Sequence, residues 1–191
     1  MSLENKIIDY SIHKEDILHW VNLKGEYRYD AIIDFMKQLN IECTWENVTA
    51  YIKYDKRILI NCFRYFTFLE EFYRSYVIQY HIIDIDNLKN YYFSRAIDDY
   101  LQIKENKAYE DIDLALLEKE KKTIIDLRNT VVHNNILLIN KYNKKSLKEA
   151  LEILVNILPK SYRKGYISDI NKCKMNLAVD QWFINLTMKD S

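Results

Sequence analysis

A chain of 191 residues with only two glycines and one proline has almost none of the residues that tight turns and hairpins require. Strands need such turns at short intervals, whereas helices joined by polar loops do not. The scarcity therefore predicts an all-α fold. It also excludes a Gly-rich phosphate cradle, because Gly25 and Gly165 stand alone and form neither a Walker loop nor a dinucleotide fingerprint. Hydrophobic residues at 49% and charged residues at 29% can build a packed core, and the length suits one domain.

Helical periodicity and caps divide the chain. Ile17, Leu18, Trp20 and Val21 make a short stripe that Gly25 closes. A second helix is expected from about Tyr29 to Leu39, with Ile32, Ile33, Phe35, Met36 and Leu39 inward. A third follows Thr44, a suitable N-cap, and carries Val48, Tyr51 and Ile52. Arg57 to Ile83 reads as one long helix. Asp84 and Asp86 offer caps for another, running to about Lys104, and the polar stretch Glu105–Tyr109 precedes a helix from near Asp111 through Leu127. Ser146-Leu147-Lys148-Glu149 is a capping box that opens a helix through Leu158, with Pro159 at the break. A last helix covers about Tyr162 to Leu177. The expected organisation is a helical N-terminal extension over 1–50, a helical bundle over 51–179, and a tail over 180–191 in which Trp182 and Phe183 can dock.

Function classes narrow in the same way. Cys43, Cys62 and Cys173 lack ligand spacing, so no metal site and no cofactor is expected, and buried reduced thiols fit a cytoplasmic setting. The start has no signal-peptide pattern, and the longest aliphatic run, Ile136–Ile139, is too short to span a bilayer, so no membrane partner is expected. The net charge is zero, yet Lys119–Lys174 holds 13 Lys and Arg against 5 Asp and Glu, a basic third able to hold phosphates. A helix-turn-helix in the N-terminal part is disfavoured, since no basic reading helix follows the turn. The 16 tyrosines are expected mainly as half-buried core rings with a polar tip rather than as base-stacking platforms.

One polar segment carries chemistry: Leu127-Arg128-Asn129-Thr130-Val131-Val132-His133-Asn134-Asn135. At about 100° per residue, Asn129 and His133 share a helix face, Asp126 extends it, and the long side chain of Arg128 is expected to swing toward them. Histidine moves protons near neutral pH, and arginine forks onto phosphate oxygens. A second Arg/His pair, Arg74 and His81, has the longer spacing. It lies in an aromatic-rich helix where Glu70 can pair with Arg74 at i,i+4, and it reads as structural.

The Arg–Asn pair with a histidine five positions after the arginine resembles the Rx4-6H motif of HEPN domains. Tyr54-Asp55-Lys56-Arg57-Ile58-Leu59 and Phe68-Leu69-Glu70-Glu71-Phe72-Tyr73-Arg74 are similar to the corresponding helix of abortive-infection proteins, so the likeness spans about residues 50–175. The resemblance implies a HEPN-like helical bundle and a metal-independent endoribonuclease that cleaves RNA by 2′-hydroxyl attack, in phage defence or as a toxin. It implies catalytic roles for Arg128, Asn129 and His133, RNA as substrate, a homodimer as active form, and room for an RNA or protein antitoxin. Asn135 stands where one HEPN subgroup carries a tyrosine, so regulation through modification of that tyrosine is not expected. A non-catalytic HEPN module that binds RNA or a protein partner is the alternative.

Overall fold

The computed structural model describes residues 2–80, 82–83, 91–103 and 112–188. Among these the regular structure is helical. The helices are α1 (Tyr10–Lys24), α2 (Glu26–Gln38), α3 (Trp45–Gln79), α4 (Phe93–Gln102), α5 (Leu114–Val132), α6 (Leu147–Ile157) and α7 (Lys160–Lys172), with one 3-10 turn at Leu3–Asn5. The all-α expectation holds. None of these helices is long and apolar enough to cross a membrane.

The 35-residue α3 is the axis of the molecule, and α2, α4, α5 and α7 all pack on it. Thr44 caps its start as expected, its hydroxyl accepting from the Asn47 amide at 3.3 Å. The two helices expected from Thr44 and from Arg57 are one. No glycine, proline or cap interrupts Ala50–Arg57. The polar Asp55 in that stretch points inward and is buried, so it does not break the helix. The boundary drawn at residue 50 accordingly lies inside α3.

The other expectations fare unevenly. Gly25 closes α1 at φ +84°, a conformation that a residue with a Cβ adopts only with strain. Of the α1 stripe only Ile17 is buried, and Leu18 and Trp20 are solvent-exposed because α1 lies at the edge of the bundle. Ile32, Ile33 and Met36 of α2 are buried. The caps Asp84 and Asp86 and the stretch 105–109 lie outside the described residues. Asp113 caps α5, accepting from Leu116 N at 2.9 Å. The Ser146/Glu149 capping box is fully formed. α7 begins at Lys160, directly after Pro159, and ends five residues before Leu177. Tyr29, Tyr51, Tyr54, Tyr73, Tyr100, Tyr142 and Tyr166 are fully buried, deeper than the half-burial expected. The tail docks: Trp182 packs edge-on against Phe35 at 5.1 Å, and the Tyr51 hydroxyl donates to its carbonyl at 3.1 Å. The Ile184 amide donates to the Tyr54 hydroxyl at 2.8 Å. Phe183 lies under the Lys174 ammonium.

Candidate functional site at the end of α5

The last turn of α5 explains why His133 is exposed. His133 is the terminal cap residue, its amide donating to the Asn129 carbonyl at 3.0 Å. Asn134 then adopts φ +54°, its amide reaching the Val131 carbonyl at 3.1 Å, while the Asn135 amide reaches Thr130 at 3.0 Å. That double crossing is a Schellman stop, with asparagine tolerated in the left-handed position. Leu127 and Val131 face the core, so Asn129 and His133 are left on the solvent side one turn apart, as expected. The His133 imidazole makes no hydrogen bond or ion pair among the described residues.

Arg128 does not swing toward that histidine. Its Nε and Nη2 lie 2.7 and 2.6 Å from Glu70 Oε1. Its guanidinium carbon is 5.8 Å from the centre of the Phe93 ring, and its Nη1 reaches Asn129 Oδ1 at 3.4 Å. A partly buried carboxylate holds a guanidinium more strongly than an exposed imidazole can. Glu70 also meets Arg74, as expected, at 3.5 Å, and Arg74 donates to the Tyr91 carbonyl at 2.9 Å. One carboxylate thus serves two arginines, with Arg128 the closer. His81 lies outside the described residues. Asp126 does not join the site either: its Oδ2 accepts from the Asn143 amide at 3.1 Å and pins the following loop.

The result is a divided site. Arg128 and Asn129 line a recess of about 280 Å³ with Arg74, Phe93 and Ser94. His133 lines another, of about 420 Å³, with Tyr27, Arg28, Asn134 and Asn140. Beneath the second recess, Asp55 Oδ1 accepts from the amides of Leu137 and Leu138 at 2.8 and 2.9 Å and fixes the loop after His133. Burial pushes the Asp55 carboxyl up to about 6, although those amides, Arg28 and Lys56 pull it down.

The His133 recess shares Arg28 and Asn134 with a groove of about 600 Å³ lined by Lys24, Arg28, Lys53, Lys56 and Arg57. Sequence reasoning placed the basic surface in Lys119–Lys174. There Lys121, Arg128, Lys145 and Lys148 are paired with Asp98, Glu70, Glu120 and Glu152. The i,i+3 and i,i+4 spacing of Lys53, Lys56 and Arg57 on one helix was a visible signal for the groove. Its meeting with α1 and α2 was not. Among the described residues no group of three or more His, Cys, Asp or Glu is placed to hold a metal ion. No family model, curated protein or solved structure matches the chain.

Proposed function

We propose that the chain is an endoribonuclease of the HEPN type, cleaving RNA without metal. The observation that carries this reading is an exposed histidine with no partner among the described residues, held at a helix end beside a cluster of cations. In the reaction, the 2′-oxygen of a ribose attacks the adjacent phosphorus and the 5′-oxygen leaves. A base takes the 2′-hydroxyl proton, and an acid returns one to the leaving oxygen, giving a 2′,3′-cyclic phosphate and a 5′-hydroxyl. His133 is suited to either proton transfer, because it is exposed and an imidazole can both accept and donate a proton. Arg128 supplies fixed positive charge for the crowded phosphorus, and Asn129 orients the phosphate. One histidine per chain serves one of the two transfers, so a twofold dimer with two α5 ends facing each other completes the reaction. Growth arrest on expression is the cellular consequence of such a toxin or phage-defence enzyme.

A specific observation favours a second reading, a non-catalytic HEPN module that binds RNA or a protein partner. Glu70 already occupies two donors of Arg128, and Arg128 and His133 face different recesses. The experiment that decides is incubation of the purified chain with RNA in EDTA. Fragments ending in 2′,3′-cyclic phosphate, lost in His133→Ala, are expected. Products with 3′-hydroxyl ends, or cleavage only after Mg²⁺ is added, overturn the mechanism. RNA binding without any cleavage establishes the second reading.

A further inference from the structure

The groove between α1, α2 and α3 carries an inference of its own. Lys24 ends α1 and Arg28 lies in the first turn of α2, brought together by the left-handed joint at Gly25. Lys53, Lys56 and Arg57 meet them from successive turns of α3. None of the five forms a salt bridge among the described residues, whereas Lys and Arg side chains elsewhere, such as Lys6, Arg64, Lys121 and Arg128, do. Their contacts are to neutral groups. Arg28 donates to the Asn134 carbonyl at 2.5 Å and Lys56 to Asn134 Oδ1 at 2.7 Å. Arg57 donates to the carbonyls of Cys173 and Met175 at 3.0 and 2.7 Å, and the Lys24 ammonium sits 4.5 Å from the centre of the Trp20 ring. Asp55 lies near enough to feel Arg28 and Lys56, but its carboxylate accepts from two backbone amides. Five like charges without a paired acid therefore repel one another, and an extended anion relieves that repulsion.

We infer that this groove holds the phosphate backbone of single-stranded RNA and delivers it to His133. The groove and the His133 recess are neighbours that share Arg28 and Asn134 in their linings. Tyr27, 73% exposed, stands in that recess and presents a ring on which an unstacked base can lie. A duplex keeps its base faces stacked inside, so cations with an adjoining free aromatic ring suit a single strand. α1, α2 and the first part of α3 thereby become the substrate guide. What the strand meets at its end rests on the ribonuclease reading, whereas its seat rests on the groove's own charge.

Fluorescence anisotropy with a labelled 2′-O-methyl RNA of about 12 nucleotides reads binding apart from cleavage, since that strand lacks the attacking hydroxyl. Lys53→Ala/Lys56→Ala should weaken binding at least about 10-fold. It should also reduce the slope of log K against log salt by about 1.4, roughly 0.7 per lost phosphate contact. Lys24→Ala/Lys53→Ala, which leaves both Asn134 contacts in place, should do the same with the melting temperature kept. Tyr27→Ala should weaken binding about 5- to 150-fold with the slope unchanged, as loss of stacking does. Lys119→Ala/Lys122→Ala, an equal charge loss in the basic third but outside the groove, should bind as the parent does. Unchanged binding in both groove pairs, or an equal loss in the Lys119/Lys122 pair, overturns the inference. So does a parent chain that binds no RNA, which leaves an acidic protein partner as the occupant. Parent binding without cleavage of ordinary RNA keeps the groove and removes the ribonuclease reading; cleavage with both groove pairs binding normally does the reverse.

Discussion

The two sides of the α5 terminus solve the problem of buried and half-buried charge in opposite ways. On the Arg128 side every cation has an acid: Glu70 serves both Arg128 and Arg74. On the His133 side Arg28, Lys53, Lys56 and Arg57 form no salt bridge among the described residues, and the nearby acid, Asp55, accepts from two backbone amides instead. The first arrangement is self-satisfied and resists change. The second leaves its charge available to the anion that we propose it binds. The two arrangements stand close together, since Asn129 and His133 are a single helical turn apart.

Substitutions at the two sides should separate these roles. The largest effect is expected from His133→Ala, which should lower RNA cleavage about 10²- to 10⁴-fold, the usual contribution of general acid–base catalysis. Its melting temperature should match the parent, because the ring is exposed and has no partner among the described residues. Circular dichroism melts beside the cleavage assay check this, and a cleavage rate near the parent's removes His133 from the site.

Next in size is Asp55→Ala, expected to cost about 2–4 kcal/mol by orphaning the buried Leu137 and Leu138 amides. Asp55→Asn keeps an oxygen acceptor and removes the buried charge. The pH dependence has a definite sign. A carboxyl at about 6 in the folded chain, above its unfolded value, binds its proton more tightly when folded. Its contribution is full below about pH 4 and is lost as pH rises through about 6. Chemical denaturation from pH 4 to 8 should show that fall in the parent, and Asp55→Asn should flatten it.

Smaller again is Arg128→Ala. An exposed polar cluster would leave stability unchanged, but this arginine is tied to a half-buried Glu70, and removal should cost about 1–2 kcal/mol. Arg74, 3.5 Å from the same carboxylate, limits the loss. A double-mutant cycle of Arg128→Ala with Glu70→Gln should show positive coupling. If it shows none while cleavage still falls, Arg128 acts on RNA alone.

Much of the frame was legible before any coordinates. Two glycines and one proline allowed long helices, Thr44 and the Ser146/Glu149 box marked where two of them begin, and Gly25 marked where one ends. The Asn134-Asn135 pair after Val131 also held the signal for the helix stop that exposes His133. Such features are decided within one or two turns of backbone, where capping hydrogen bonds and side-chain periodicity act. Their identity is written in neighbouring residues. The continuity of α3 through Asp55 escaped the sequence, because that carboxylate's partners lie 82 and 83 positions away.

What tertiary structure alone decided is which charge meets which. Arg128 finds Glu70 across 58 positions, and Arg28 reaches the carbonyl of Asn134 across 106. An arginine's reach covers several candidate acids, and the energy of a pair depends on burial and geometry that only packing supplies. The sequence by itself determined an all-helical bundle with a polar arginine–asparagine–histidine segment at the end of one helix. Packing turned that segment into two recesses and set a basic groove from the first 57 residues beside the histidine, because Coulomb and desolvation terms are settled by distance in space rather than by distance along the chain.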